Sequence, residues 1–86
     1  MSLNFQGYED IPERTQQTLI DYVERGYVPG SFVQAVLSNN LVESIGRADI
    51  QNLQALPSIG KFMYNRMPMN TWGSVDSVQR YLDTFR

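Results

Sequence analysis

Apolar residues recur every three or four positions along most of this chain, which is the spacing of one face of an α-helix. The last segment is the clearest example, with Val75, Val78, Leu82 and Phe85 on one predicted face. No segment keeps up the strict apolar and polar alternation of a half-buried strand. The pattern predicts an all-α protein, a small compact bundle of about four to five short helices with no substantial sheet.

Capping signals set the bounds of the first predicted helix. Asp10 can accept a backbone hydrogen bond at the start of a helix, Pro12 suits a first turn, and Glu13 can reach back as in a capping box. Gly26 supplies the left-handed residue that often ends a helix. We therefore expect a helix that opens at Asp10 and closes at Gly26.

The middle of the chain is punctuated by turn residues. Pro29-Gly30 predicts a turn, and Ser31 after it is a candidate cap for a second helix. Asn39-Asn40 predicts a break or a left-handed residue. Leu41, Val42 and Ile45 then predict a brief third helical turn that Gly46 closes.

Two more caps predict the remaining helices. Asp49 is well placed as the N-cap of a fourth helix and Ser74 as the N-cap of the last one. Pro57 interrupts the fourth helix, so we expect a kink or two pieces there, and the helix should end before Pro68. The predicted apolar stripe of this helix is Leu53, Leu56, Ile59, Phe62 and Met63.

The length of 86 residues allows one domain. Asn4-Phe5-Gln6-Gly7 resembles the scar of a cleavable expression tag, so residues 1–7 are interpreted as a tag remnant and residues 8–86 as a single helical domain. We expect a free energy of unfolding on the order of 5 kcal/mol, because so small a core is marginal. Dimerisation would add to it, and a homodimer is therefore one alternative.

Composition disfavours several functional classes. The chain has no cysteine and no histidine, so we expect no zinc or other transition-metal site and no cofactor. Its single lysine and six arginines are scattered and its net charge is −2, which disfavours nucleic acid as a partner. The serines have no histidine to activate them, so the chain is predicted not to be an enzyme. Without an apolar run of membrane-spanning length, a cytoplasmic location is expected.

The stretch around Asp49 is one candidate partner-binding edge. Arg47 could form a forked hydrogen bond to a carboxylate or phosphate while Asn52 binds an amide. The alternative is that Asp49 caps a helix, Arg47 is solvated or pairs locally, and Asn52 lies at the surface.

A second candidate surface surrounds the predicted end of the fourth helix. Tyr64, Arg66 and Trp72 combine aromatic rings with a guanidinium, and Met67 and Met69 add adaptable apolar contact. The alternative is that Trp72 covers a small core. A third set, Arg25, Tyr27 and Arg47, could stack against a nucleotide.

The order of these signals resembles that in a family of short phage and prophage proteins whose members are uncharacterised. The residues that carry the resemblance are Ile11-Pro12, residues 26–32, residues 46–49, Tyr64-Asn65, Pro68 and Trp72-Gly73-Ser74. The resemblance implies a viral context, in the cytoplasm of a bacterial host.

These observations together predict a small binding protein. We expect it to dock on a bacterial host protein and to inhibit or redirect that protein, as in host takeover or anti-defence. One alternative is an oligomeric sponge that sequesters a nucleotide signal through Arg25, Tyr27 and Arg47. A phage transcription regulator is the third hypothesis.

Overall fold

Six α-helices and one 3₁₀ turn, at Met69–Thr71, make up a computed structural model that describes residues 3–86. No strand occurs among those residues, so the prediction of a small all-α bundle is confirmed. The helices are α1 (Glu13–Arg25), α2 (Ser31–Leu37), α3 (Leu41–Arg47), α4 (Ile50–Gln54), α5 (Leu56–Arg66) and α6 (Val75–Asp83).

The first helix begins later than predicted. Pro12, not Asp10, is the N-cap of α1, and its carbonyl accepts the backbone N–H groups of Thr15 and Gln16 at 2.9 and 3.0 Å. The prediction that Asp10 caps this helix is wrong, because Asp10 lies two residues before the N-cap. Its carboxylate instead accepts a hydrogen bond from the Ser58 hydroxyl on α5.

Helix α2 also starts differently from the prediction. Ser31 is the first helical residue, and the N-cap is Gly30, which makes no side-chain capping bond. Asn39 adopts a left-handed φ of 62°, so the predicted break after α2 is confirmed. Asn40 is the true cap of α3, since its side-chain oxygen accepts the N–H of Glu43 at 3.2 Å.

Glycine 46 does not close α3, as the sequence suggested. The helix continues to Arg47 and ends where Ala48 turns to an extended conformation before the next cap. That cap is Asp49, whose carboxylate accepts the N–H of Asn52 at 2.8 Å. Ser74 caps α6 in the same way, accepting the N–H of Ser77 at 3.0 Å.

Proline 57 divides the predicted fourth helix into two pieces. Helix α4 ends at Gln54, Ala55 departs from helical angles, and α5 starts at Leu56. Pro57 therefore lies in the first turn of α5, where its missing N–H costs nothing because first-turn N–H groups have no partner within a helix. The structure thus has a break rather than a kink.

The core lies between α1, α2, α5 and α6, with Leu19, Tyr22, Leu37 and Phe62 at its centre. Three residues assigned to predicted apolar stripes lie outside it. Leu53, Val75 and Phe85 are all exposed. A stripe identifies the apolar face of a helix but not which neighbour covers it.

The N-terminal residues also differ from the prediction. Residues 1–7 were excluded from the fold, yet Leu3 and Phe5 pack against the core together with Tyr8. Their packing does not bear on whether the segment is a tag remnant. Met1 and Ser2 of that segment lie outside the described residues.

Buried Tyr22 makes the fold sensitive to alkali. Its hydroxyl donates to the carbonyl of Thr71 at 2.6 Å, and burial, followed by the nearby charge of ionised Tyr81, raises the pKa of Tyr22 to about 12. A folded-state pKa above the unfolded value of 10 means that this stabilisation is complete below pH 10 and is lost as pH rises towards 12. We expect the free energy of unfolding to fall by about 2–3 kcal/mol over that interval.

Urea unfolding at pH 8, 10 and 11 measures this loss. The Tyr22→Phe variant should be less stable at pH 8 by about 1 kcal/mol, since it lacks the hydrogen bond to Thr71, but should respond less to alkali. The exposed Tyr27 provides the control, and Tyr27→Phe should keep the full response. If the free energy of unfolding fell equally at high pH in wild type and in Tyr22→Phe, Tyr22 would be excluded as the cause of the alkaline sensitivity.

Candidate functional site

Helix α3 exposes its aliphatic side chains and buries a polar one. Leu41, Val42 and Ile45 are 66%, 78% and 47% exposed, whereas the buried residue of the helix is Ser44. Ser44 tolerates burial because its hydroxyl donates to the carbonyl of Asn40 at 2.7 Å. The apolar face of α3 is therefore directed to solvent, the reverse of an ordinary surface helix.

Helix α4 repeats this inversion. Its buried residue is Asn52, while Ile50 is 75% exposed and Leu53 is also exposed. Single exposed aliphatic residues are common, but two consecutive helices with their apolar residues outward are characteristic of a surface that meets a partner.

A small cavity opens beside the exposed face of α3. It has a volume of about 130 Å³ and lies between the α2–α3 turn, α3 and α5. We call it the Trp72 pocket, and its main lining residues are Val36, Leu41, Leu56, Gly60, Met63 and Trp72. The described residues around it include no charged side chain, so it suits an apolar group.

Two of the polar residues at the edge of the Trp72 pocket are already hydrogen-bonded within the protein. Ser44 donates its hydroxyl to the Asn40 carbonyl, and the Asn40 side-chain oxygen accepts the N–H of Glu43. A ligand would find few free hydrogen-bonding partners there. The pocket therefore favours an aliphatic or aromatic hydrocarbon group over a polar one.

Arg47 lies on the other side of α3 from Leu41. Its Nε donates to a Glu43 carboxylate oxygen at 2.6 Å, four residues earlier on the helix. Both residues line a separate depression of about 280 Å³ against α2. Arg47 is thus exposed and paired locally, and it does not line the Trp72 pocket.

Asn52 is buried, so the interpretation that places it at the surface is wrong. Its side-chain oxygen accepts the Thr15 hydroxyl at 2.6 Å inside the protein, joining α4 to α1. Next to it, Asp49 forms an ion pair with Arg14 in addition to its capping bond. This group of polar residues attaches α4 to α1, a structural role.

The second predicted surface is divided by the fold. Tyr64 is 84% exposed on α5, whereas Arg66 is turned towards the N-terminus, with its guanidinium 5.4 Å from the centre of the Tyr8 ring. Trp72 is half-buried, packs against the core and lines the pocket. Trp72 therefore covers the core and also presents a surface to solvent.

The residues of the predicted nucleotide site are not grouped in one depression. Arg25 lies 5.9 Å from the centre of the exposed Tyr27 ring, which is a cation–π arrangement. Tyr27 lines a depression of about 200 Å³ with residues of α1 and the α1–α2 connection. Arg47 lines a different one.

Sequence reasoning missed one spacing that can carry chemistry. Ser58 and Lys61 are three residues apart on α5, the Ser-x-x-Lys spacing of some lysine-assisted nucleophiles. The structure uses Ser58 differently, since its hydroxyl donates to Asp10, and no hydrogen bond within residues 3–86 joins it to Lys61. This pair therefore lacks the contact that would activate the serine.

A polar depression lies between the start of α1 and α4. Its volume is about 510 Å³, and its lining side chains include Asp10, Glu13, Arg14, Gln51 and Gln54. Asp10 and Arg14 are engaged with Ser58 and Asp49. Within residues 3–86, no group of three or more carboxylate, histidine or cysteine side chains could hold a metal ion, and none of the helices there has the length and apolar character needed to cross a bilayer.

The chain matches no protein-family model, and comparisons with curated proteins and with solved structures find no similar protein. Any statement about its function therefore depends on its own residues. Among them, the exposed face of α3 and the adjoining Trp72 pocket are the features that an isolated domain would not need.

Proposed function

We propose that this chain is a small binding protein that docks on a bacterial host protein and inhibits or redirects it. The observation that carries the proposal is the inversion of α3, which places Leu41, Val42 and Ile45 in solvent beside an apolar pocket. Full burial of such a side chain contributes about 1.5–3 kcal/mol, and with 47–78% of each one exposed about half or more of that burial free energy is unused. A partner that covers these side chains would recover this burial free energy.

The pocket gives this docking surface a central anchor point. Interface energy is concentrated in a few side chains that fill desolvated pockets, surrounded by contacts that exclude water. A volume of about 130 Å³ accommodates one apolar side chain of the partner. Trp72 would form a wall of the filled pocket and Tyr64 part of the rim, whereas Arg47 lies outside this surface and Asn52 has no role in it.

The host and the outcome of binding rest on the resemblance to short phage and prophage proteins. A phage protein that lacks catalytic groups acts by occupying a surface of a host protein. Inhibition or redirection follows if the occupied surface is one that the host protein needs. Host takeover and anti-defence both fit this mechanism.

Replacing Val42 by Asp should abolish docking. A charge in the middle of the aliphatic face must be desolvated without a partner when the complex forms, so we expect the affinity to fall at least tenfold. The experiment is a capture of partners from bacterial lysate with tagged wild type and variant, followed by titration of the main captured protein against both.

The matched control is Val28→Asp. Val28 is also an exposed valine, at 65%, but it lies in the connection between α1 and α2, away from the Trp72 pocket. It should bind the captured protein as wild type does. Equal binding by wild type, Val42→Asp and Val28→Asp would contradict the proposal that α3 is the docking face.

Gly60 allows the pocket itself to be tested. A Cβ added to this exposed helical glycine meets no atom within 4 Å outside its own stretch of helix, so a side chain can be added there without a collision at Cβ. Gly60→Leu should fill the pocket and weaken docking at least tenfold. Gly60→Ala leaves most of the space open, should bind normally, and should raise the free energy of unfolding by about 0.5–1 kcal/mol because alanine favours the helix.

Benzene or xenon can probe the pocket without the partner. An apolar protein cavity of about 150 Å³ binds both, and Trp72, the single tryptophan of the chain, reports on this pocket through its fluorescence. Saturable changes with benzene in wild type and Gly60→Ala, but not in Gly60→Leu, are expected. Identical responses in all three variants would show that the pocket does not admit apolar groups.

A further inference from the structure

A second, separate surface of α5 is covered by the chain's own N-terminal arm, residues 3–8. The Phe5 ring stacks on the Phe62 ring with a centroid distance of 4.3 Å and an interplanar angle of 5°. The Tyr8 ring meets Phe62 edge-on at 5.3 Å and 80°. With the arm in place, the exposed fraction of Phe62 is 0%.

Polar contacts accompany this aromatic stack. Arg66 donates to the backbone carbonyl of Asn4 at 3.3 Å, and its guanidinium also lies over the Tyr8 ring. Asn65 donates its side-chain N–H to the Tyr8 hydroxyl at 3.1 Å. The surface of α5 therefore provides one aromatic face and a cation that binds a backbone carbonyl, as a peptide-recognition site does.

The arm reaches this surface as a short peptide with its own turn. The backbone N–H of Tyr8 donates to the Phe5 carbonyl at 2.8 Å, and the Gly7 N–H donates to both carboxylate oxygens of Glu9 at 3.0 and 2.9 Å. The Gly7 hydrogen bond also lowers the pKa of Glu9. Within this arm, the Phe5 ring stacks on the Phe62 ring, whereas the Tyr8 ring meets it edge-on.

We propose that the Phe62 face is a binding site for an aromatic side chain carried on a short peptide segment of a partner protein, and that Phe5 occupies it intramolecularly. The occupant is inferred from the segment already seated there, whose stacked ring and backbone carbonyl match the two groups that α5 offers. An aliphatic side chain would lose the stacking, which contributes beyond area burial.

The predicted origin of residues 1–7 gives this site its significance. If these residues are a tag remnant, Phe5 does not belong to the domain, and the position that its ring occupies on Phe62 is available to a partner. The arm then occupies the position that the partner's peptide segment would take. The site uses neither α3 nor the Trp72 pocket, so it stands or falls independently of the proposed function.

The test uses the full chain with Phe5→Ala, which vacates the stacking position. The probe is the capped peptide Leu-Asn-Phe-Gln-Gly, which matches residues 3–7. It is titrated into the isotope-labelled protein, and two-dimensional NMR spectra record the chemical shifts. We expect saturable shifts at Phe62, Asn65 and Arg66 in Phe5→Ala, with an affinity at least tenfold higher than for wild type. The tethered arm competes in wild type at an effective concentration in the millimolar range.

Two controls separate recognition from non-specific contact. The same peptide with alanine in place of phenylalanine should not bind, and Phe5→Ala/Phe62→Leu should lose binding because the aromatic face is gone. Failure of folded Phe5→Ala to bind the peptide, or equal binding by both peptides, overturns the proposal. Should Phe5→Ala unfold, Phe5→Leu replaces it, since leucine keeps the bulk of the arm but cannot stack.

A second copy of the chain is the competing occupant. Its arm could fill the vacated position only by exchange between molecules, which would double the mass. Sedimentation of wild type across a hundredfold range of concentration measures this. A dimer that Phe5→Ala abolishes would overturn the proposal of a foreign peptide, whereas a monomer throughout agrees with it.

Discussion

Replacing Phe62 by Ala should bring the domain close to its unfolding threshold, with a free energy of unfolding of about 0–2 kcal/mol. Truncating a fully buried phenylalanine costs about 3–5 kcal/mol, and a domain of this size has a free energy of unfolding on the order of 5 kcal/mol. Phe62 is 0% exposed and lies against both Phe5 and Tyr8, so its loss opens a cavity and removes two aromatic contacts. Circular dichroism and urea unfolding measure the effect.

Tyr64→Ala is the matched control for this variant. Tyr64 is an aromatic residue on the same helix, but it is almost fully exposed, so its removal should change the free energy of unfolding by no more than about 0.5 kcal/mol. If Phe62→Ala were as stable as Tyr64→Ala, the packing of α5 under the N-terminal arm would be wrong.

Local signals predicted the ends of several helices because capping and chain breaking depend on neighbouring residues. Asp49 and Ser74 cap the helices assigned to them, Gly26 has the left-handed φ that ends α1, and Pro57 divides the fourth helix. Asp10 failed because Pro12 fixed the helix start two residues later. The local preference of Pro12 therefore outweighed that of Asp10.

Local signals could not predict which side of α3 and of α4 packs against the rest of the protein. Periodicity indicated an apolar stripe in each, and the default expectation is that such a stripe packs inward. Instead, Asn52 is held inward by Thr15, which is 37 residues away in sequence, and Ser44 bonds within its own helix. Long-range polar partners are invisible in local patterns, so the exposed aliphatic face emerged only from the fold.

The candidate site was predicted in part. Tyr64 and Trp72 were selected for their residue types and remain part of the proposed docking surface. For Arg47 the structure shows the local pairing that the sequence offered as the alternative, with Glu43 on the other side of α3. The Trp72 pocket could not be predicted, since its walls come from the α2–α3 turn and from α5, which only the tertiary fold brings together.

Replacing Gly26 by Ala should destabilise the domain by about 2–5 kcal/mol. Gly26 has a φ of 68°, and an L-residue pays about 1–2 kcal/mol in that left-handed conformation. An added Cβ would also lie 2.8 Å from Cβ of Phe85 and would collide with its Cγ, so the C-terminal segment would have to shift, at a further cost of about 1–3 kcal/mol. Thermal and urea unfolding measure the sum.

A double variant separates the two causes. Gly26→Ala/Phe85→Ala removes the collision but retains the backbone strain, so it should recover part of the loss relative to Phe85→Ala alone. Gly30→Ala is the backbone control, because Gly30 has a φ of −67° and open space around a new Cβ, and it should cost no more than about 1 kcal/mol, the disadvantage of alanine against glycine at an N-cap. An additive double variant would mean that the added Cβ at position 26 does not press on Phe85, and that the C-terminal segment moves aside without cost.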